Sequence, residues 1–202
     1  GYIQHFPDWE QPLFRNWCSI VDDEELLQVL ISGDFIIASD GSALGRASSA
    51  WILSTKDGRR LVSCSGPALG AKPGSFRAEA YGILSALRFV VQFLKYRSAY
   101  SAAPYLHLTD CRSLMQRIKS ALKYDDYFAN ATLAAEWDIV NEIVINMRAM
   151  DHPPHLQHIR SHQDKNKPIQ DLSLSMPNSI ATPTNWQMNF SGNKTQRKIV
   201  PE

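Results

Sequence analysis

The sequence predicts an α/β domain whose mixed five-stranded sheet combines an antiparallel hairpin with parallel strands and is flanked by helices. Short apolar runs bounded by turn formers predict the strands, at residues 35–40, 49–54, 60–64, 105–109 and 155–160. Asp57-Gly58 between the second and third runs is a strong hairpin signal. Helical segments separate the other runs, so we expect strands 35–40, 105–109 and 155–160 to run parallel, with the hairpin beside the first.

The helices are predicted where apolar residues return every three or four positions, at residues 22–31, 76–96, 111–123 and 131–149. Asp22 or Asp23 is a suitable cap for the first, and Gly33 is suited to end it. The last has one predicted apolar face, made of Leu133, Trp137, Val140, Val144 and Met147. We divide the chain into an N-terminal linker with a short helix (1–33), the α/β domain (34–175) and an atypical tail (176–202). No period is visible in residues 1–21, and the tail is expected to be disordered or translated in a shifted frame.

The composition excludes several classes of protein. The 202 residues carry a net charge of +1, so any contact with nucleic acid must come from local patches rather than a global basic field. The three cysteines are far apart and match no zinc spacing, which favours reduced thiols in an intracellular protein, in cytoplasm or nucleus. The most apolar stretch, 83–94, is short and interrupted by Arg88 and Gln92, which favours a buried helix over a membrane span. The oligomeric state is left open.

Three acids occupy unusual positions. Asp40 and Asp110 each follow an apolar strand, and Glu79 lies on the helix face predicted to be buried. If the two strands are neighbours, both aspartates emerge at the same edge of the sheet, where open α/β sheets bind their ligands. Three converging carboxylates repel one another, and a hard divalent cation such as Mg²⁺ or Mn²⁺ resolves that repulsion. Two such ions about 3.5–4 Å apart are able to activate water and stabilise the leaving oxygen in phosphodiester hydrolysis.

Structural interpretations compete with this one. An Asp after a strand is more often a turn former or a helix cap, and Glu79 in an early helical turn also suits the helix dipole. Evenly spaced His152, His155 and His158 suggest zinc, although Pro153-Pro154 excludes a regular helix there. One predicted helix carries a run of cations, Arg112, Arg117, Lys119 and Lys123. A solvated face is the default interpretation of that run, and contact with phosphates is the alternative.

Four motifs together resemble one family. They are Ser39-Asp40-Gly41-Ser42, Phe76-Arg77-Ala78-Glu79-Ala80-Tyr81-Gly82, Leu108-Thr109-Asp110-Cys111-Arg112-Ser113 and Ile159-Arg160-Ser161-His162-Gln163-Asp164. Over residues 35–175 their order and spacing resemble the ribonuclease H domain of a retroelement reverse transcriptase polyprotein. Each motif alone is weak, and their order makes the resemblance specific.

The resemblance implies that Asp40, Glu79 and Asp110 are catalytic and bind two ions of Mg²⁺ or Mn²⁺. It implies that His162 lies on a mobile loop that assists proton transfer or product release. The substrate that the resemblance implies is the RNA strand of an RNA–DNA hybrid. Ser42 and Arg112 are candidate contacts with it. It also implies a reverse transcriptase domain upstream in a parent polyprotein and no membrane partner.

One element of the family pattern is missing. The family carries a fourth Asp on a helix after the His loop, but no acid occurs here between Asp171 and Glu202. Leu172-Ser173-Leu174 matches the lead-in to that helix, and Ser175-Met176-Pro177 departs from it. The alternative function is therefore a catalytically defective nucleic-acid-binding module of the same fold. A metal-free structural domain, in which the three acids coincide by chance, is a third hypothesis.

Back-translation suggests where the missing Asp lies. In the shifted frame, each codon consists of the last base of one codon and the first two bases of the next, starting from the last base of the Met176 codon. Three of the shifted codons are then forced: Met176 with Pro177 gives Ala, Asn185 with Trp186 gives Leu, and Trp186 with Gln187 gives Ala. The intervening codons allow Ala-Gln-Phe-Asn-Ser-Asp-Ala-Asp-x-Leu-Ala, which resembles the absent family motif. We therefore predict that the tail is a reading-frame error.

Overall fold

The part of the chain that the structure describes contains a sheet of six strands. The computed structural model describes residues 1–43, 45–100, 102–124 and 130–160. Within these residues the strands are β1 (Cys18–Ser19), β2 (Phe35–Ser42), β3 (Ser48–Thr55), β4 (Arg60–Pro67), β5 (Leu106–Thr109) and β6 (His155–His158). Their order in the sheet is β1-β4-β3-β2-β5-β6.

The predicted mixed sheet is confirmed. β2, β3 and β4 pair antiparallel in sequence order, and Gly58 supplies the positive φ of +96° in the β3–β4 turn. β5 pairs parallel with β2 on one side and with β6 on the other. The two-residue strand β1 adds an edge to β4 that the sequence did not indicate, because two residues are too few to show a period.

In the described part of the chain, four α-helices accompany the sheet: α1 (Asp23–Ser32), α2 (Ser75–Tyr96), α3 (Arg112–Ala121) and α4 (Trp137–Arg148). Asp22 caps α1 by accepting a hydrogen bond from the Glu25 N–H at 2.8 Å, and Gly33 ends it with φ +73°. The predicted helix 131–149 was wrong at its start, because Glu136 adopts φ +56° just before α4. Leu133 lies in a short 3₁₀ turn instead and is 78% exposed, so it is not part of the apolar face.

α2 is the central helix of the core. Phe89 and Phe93 pack with Trp51 of β3 on one side, while Ile83 and Leu87 pack with α3 and α4 on the other. α2 is thus packed on both sides, and its N-terminal turns lie in close contact with the end of β2.

Residues 1–21 fold against α2 although their sequence shows no period. Tyr2, Phe6 and Phe14 are buried in the same cluster as Phe89, and Glu10 forms a buried ion pair with Arg88. Two short 3₁₀ turns, Tyr2–His5 and Gln11–Phe14, carry these aromatic rings. Turns this short leave no helical period in the sequence. The domain boundaries at residues 34 and 176 stay predictions.

Length and apolarity rule out a membrane-crossing helix everywhere in the described part of the chain. Even α2, with 22 residues, is interrupted by Arg88.

Candidate metal centre

Two of the three acids are brought together by the register of two parallel strands. Asp40 lies near the end of β2, and Asp110 follows the last residue of β5. Ala38 pairs with Leu108, so continuing that register sets Asp40 beside Asp110 at the same edge of the sheet. The Asp40 carboxylate accepts a hydrogen bond from the Gly41 N–H at 2.8 Å, which helps to orient it.

The third acid reaches this edge because α2 approaches β2 unusually closely. A Cβ on Gly41 would lie 2.2 Å from the Glu79 backbone nitrogen, so only glycine permits this contact. One turn further along α2, a Cβ on Gly82 would lie 3.1 Å from the Ser39 Cβ. Glu79 itself is 7% exposed, as the sequence predicted for its helix face.

The three carboxylates converge. One oxygen each from Asp40, Glu79 and Asp110 lie within 4.8 Å of one another. Within the described residues this is the one cluster of His, Cys, Asp or Glu side chains close enough to hold a metal ion. Burial raises the pKa of Glu79 well above its usual value, and the negative charges of Asp110 and Asp40 raise it further.

The donor set fits a hard divalent cation. Its ligand atoms are all carboxylate oxygens, which Mg²⁺ and Mn²⁺ prefer. Glu79 Oε2 is buried and has no hydrogen-bond partner. A buried carboxylate oxygen without a donor is costly, and a bound cation would compensate it.

The candidate nucleic-acid contacts lie near the three acids. Ser42 ends β2 and is exposed, and Arg112 is the exposed first residue of α3, two residues after Asp110. Of the other cations on this stretch, Lys119 and Lys123 are exposed, whereas the Arg117 guanidinium lies 5.0 Å from the centre of the Phe76 ring. His162 lies outside the described residues.

The three regularly spaced histidines do not form a metal cluster with one another or with nearby acids in the described chain. His155 and His158 lie three positions apart on the extended strand β6, so their side chains point to opposite faces of the sheet. His158 instead places Nε2 3.1 Å from the Asp110 carbonyl oxygen and so contacts the backbone of a site residue.

Sequence reasoning missed a buried polar pair beneath the site. The His107 Nε2 lies 2.8 Å from the Ser39 Oγ, which ties β5 to β2 close to both aspartates. Complete burial lowers the pKa of His107 to about 3, so the ring is neutral at physiological pH. The available signal was a histidine between Leu106 and Leu108 inside an apolar strand.

The contacts of Arg77 are not evident from the motif Phe76–Gly82 to which it belongs. Its guanidinium donates to Glu136 Oε2 at 2.5 Å, to both Asp138 carboxylate oxygens at 3.0 and 2.7 Å, and to the Leu69 carbonyl at 2.5 Å. It therefore joins the N-terminal ends of α2 and α4 and the loop that precedes α2.

Comparison with known proteins gives similarity at the level of structure. No protein-family model matches the sequence, and no curated protein is significantly similar to it. The PFV RNase H domain is 18% identical over 67% of this chain and 84% of its own, with a TM-score of 0.49. LC11-RNase H1 in complex with an RNA/DNA hybrid is 15% identical over 63% of this chain and 86% of its own, with a TM-score of 0.47. RNase H1 from the halophilic archaeon Halobacterium salinarum NRC-1 is 15% identical over 63% of this chain and 86% of its own, with a TM-score of 0.44. The similarity is one of fold.

Proposed function

We propose that this chain is a metal-dependent endonuclease that hydrolyses the RNA strand of RNA–DNA hybrids and derives from a retroelement. The observation that supports the proposal most directly is the convergence of Asp40, Glu79 and Asp110 within 4.8 Å at one edge of the sheet. The four motifs that resemble ribonuclease H supply the substrate class and the retroelement origin, including a reverse transcriptase domain upstream.

In this proposal Asp40, Glu79 and Asp110 hold Mg²⁺ or Mn²⁺, two ions by resemblance. When bound, the ions supply activation of water and stabilisation of the leaving oxygen. The residues of the chain do the positioning: the parallel register of β2 and β5 fixes the two aspartates, and the contact of Gly41 with α2 fixes Glu79. Ser42 and Arg112, exposed beside the acids, are proposed to contact the nucleic acid, and His162 to assist proton transfer or product release.

A second function is favoured by one specific observation. The sequence contains no acid between Asp171 and Glu202, where the family carries its fourth Asp. A chain that lacks this carboxylate but keeps the other three would bind hybrids and metal without efficient cleavage. This alternative is a catalytically defective nucleic-acid-binding module.

A hybrid-cleavage assay with and without Mg²⁺ tests the proposal. We expect Mg²⁺-dependent release of RNA fragments and an intact DNA strand, and we expect Asp40→Asn to abolish cleavage while the protein stays folded. Asp34→Asn is the matched control, because Asp34 is exposed and lies just before the opposite end of the same strand. Cleavage that persists in Asp40→Asn would contradict the proposed site.

Thermal denaturation during a Mg²⁺ titration separates the three hypotheses. Binding to the folded state stabilises it by about 2.7 kcal/mol at one hundred times the dissociation constant. Stabilisation with cleavage supports the nuclease, and stabilisation without cleavage supports the defective module. A wild-type melting temperature that does not change with Mg²⁺ concentration would indicate a metal-free structural domain.

A further inference from the structure

The backbone ladder between β2 and β5 ends before it reaches the aspartates. Its last pair is Ala38 with Leu108, and Asp40 and Asp110 each lie two residues beyond that pair. Asp110 belongs to neither a strand nor a helix, because it falls between the end of β5 and the start of α3. Contacts outside the ladder therefore contribute to the separation of the two acids.

His107 makes one such contact, from β5 to β2. Register pairs it with Ile37, and its Nε2 reaches further along β2 to lie 2.8 Å from the Ser39 Oγ. Ser39 is the residue before Asp40, and both Ser39 and His107 are completely buried. The contact thus joins the two strands between the end of the ladder and the acids.

His158 makes the other contact, from β6. It pairs in register with Thr109, and its Nε2 lies 3.1 Å from the Asp110 carbonyl oxygen. The same oxygen accepts a hydrogen bond from the N–H of Arg112, the first residue of α3, at 3.1 Å. Thr109 and His107 are two positions apart on β5, so the two histidines project from the same face of the sheet. The backbone of Asp110 is therefore held from β6 and from α3.

Stability does not account for the presence of a histidine at position 107. The His107 Nδ1 is buried and has no hydrogen-bond partner in the described part of the chain, and leucines flank it in sequence, Leu106 and Leu108. An unpaired buried nitrogen costs free energy, whereas replacing both members of a buried polar pair by apolar side chains is often neutral or stabilising. The contact beside Asp40 is what the histidine adds to the strand.

We propose that His107 and His158 are positioning residues of the carboxylate site, which hold the backbones of Asp40 and Asp110 at the separation that a shared divalent ion requires. They act through the aspartates, since neither belongs to the cluster of described side chains close enough to hold the ion. The inference rests on the proposed function for the presence of the ion. It adds two residues that lie outside the four sequence motifs.

The affinity for Mn²⁺, measured in the full chain without nucleic acid, tests these residues separately from cleavage. The probe is Mn²⁺ alone, and the electron paramagnetic resonance signal of the free ion gives the bound fraction. The test proteins are Ser39→Ala/His107→Leu and His158→Phe. His158→Gln is the conservative variant, because its amide keeps an N–H donor at a similar reach. His155→Phe is the control, since His155 is exposed on the same strand and points to the opposite face.

We expect the dissociation constant for Mn²⁺ to rise by about 10-fold or more in each test protein, as is usual when groups that orient metal ligands are removed. The urea midpoint of Ser39→Ala/His107→Leu in EDTA is expected to equal or exceed that of the wild type, because both members of the buried polar pair are removed together. A purely structural role would lower that midpoint instead. His158→Gln is expected to keep most of the affinity, and His155→Phe all of it.

Wild-type affinity in either test protein, or a loss in His158→Phe that His158→Gln does not restore, overturns the inference. A wild type that binds no Mn²⁺ overturns it as well. If the double variant does not fold, the two His158 variants decide. Mn²⁺ affinity that depends on the histidines in a protein that never cleaves hybrids would support the inference and contradict the nuclease. Cleavage with unchanged Mn²⁺ affinities would do the reverse.

Discussion

Gly41 sets the distance between the end of β2 and the N-terminal turns of α2. We predict that Gly41→Ala lowers the free energy of unfolding by about 2–3 kcal/mol, because its Cβ would meet backbone atoms of Ala78 and Glu79 that cannot rotate away. The affinity for Mg²⁺ is expected to fall as well, since Glu79 is pushed from the aspartates. Urea denaturation and calorimetric Mg²⁺ titration measure the two effects.

Gly74→Ala is the matched control for that substitution. Gly74 precedes α2 with φ −91°, and a Cβ there has no neighbour within 4 Å. The free energy of unfolding of Gly74→Ala is expected to equal that of the wild type or to exceed it by a few tenths of a kcal/mol. Equal effects of the two substitutions would show that the close contact at Gly41 does not position Glu79.

The raised pKa of Glu79 predicts a pH dependence of the metal-free protein. Folding keeps Glu79 protonated above its ordinary pKa of 4.5, so above that pH the unfolded chain binds fewer protons than the folded one. The free energy of unfolding in EDTA is therefore expected to fall as pH rises from 5 to 8, and Glu79→Gln is expected to remove on the order of 2 kcal/mol of that loss. Mg²⁺ is expected to reduce the loss in the wild type, because it favours the ionised form.

Urea denaturation at the two pH values measures this effect, with Glu24→Gln as control. Glu24 is a glutamate on α1 whose side chain is 63% exposed. Parallel pH profiles for the wild type and Glu79→Gln would contradict the assignment of the loss to Glu79.

At the scale of elements, Arg77 connects three pieces of backbone. We predict that Arg77→Gln lowers the free energy of unfolding by about 1–3 kcal/mol, because charge-assisted hydrogen bonds to Glu136, Asp138 and the Leu69 carbonyl are lost from a side chain that is 15% exposed. Cleavage is expected to weaken too, since the start of α2 carries Glu79.

Arg97→Gln provides the comparison from the other end of the same helix. Arg97 follows α2 and bridges to Glu24, whose side chain is 63% exposed, so its removal is expected to change stability by less than about 0.5 kcal/mol. Equal urea midpoints for the two variants would mean that Arg77 does not join these elements energetically.

At the scale of the whole molecule, the N-terminal residues contribute to the core that supports the site. Phe14→Ala is expected to cost about 3–5 kcal/mol, because the ring is 3% exposed and packs against Phe6 and Phe89. Ile20→Ala, in the same segment but 69% exposed, is expected to change stability by less than about 0.5 kcal/mol. Thermal denaturation compares the two variants. Equal stability of Phe14→Ala and Ile20→Ala would mean that the N-terminal residues are a linker and do not contribute to the core.

The tail carries a prediction that coding DNA decides. Residues 176–202 lie outside the described part of the chain, and their sequence lacks the fourth Asp. In the shifted frame, the bases under Pro183 and Thr184 are expected to spell an Asp codon. Restoring that frame is expected to raise Mg²⁺-dependent hybrid cleavage, because a fourth carboxylate joins the site. Any other codon at those bases would refute the frame hypothesis.

Local patterns were sufficient for much of the fold. The Asp57-Gly58 turn, the apolar runs of the strands and the helical spacing of α2 are properties of neighbouring residues, so the sequence alone predicted the mixed sheet and its parallel partners. The start of α4 was mispredicted. The apolar spacing extends back to Leu133, but Glu136 adopts a positive φ, so the helix begins only at Trp137.

The sequence predicted the convergence of the acids only because it predicted which strands are neighbours in the sheet. Adjacent parallel strands bring Asp40 and Asp110 together, and a buried helix face brings Glu79 near them. The contact of Gly41 with α2, the His107–Ser39 pair and the Arg77 bridges required the tertiary structure. Each joins residues that are distant in sequence, and no local spacing encodes a distance between separate elements.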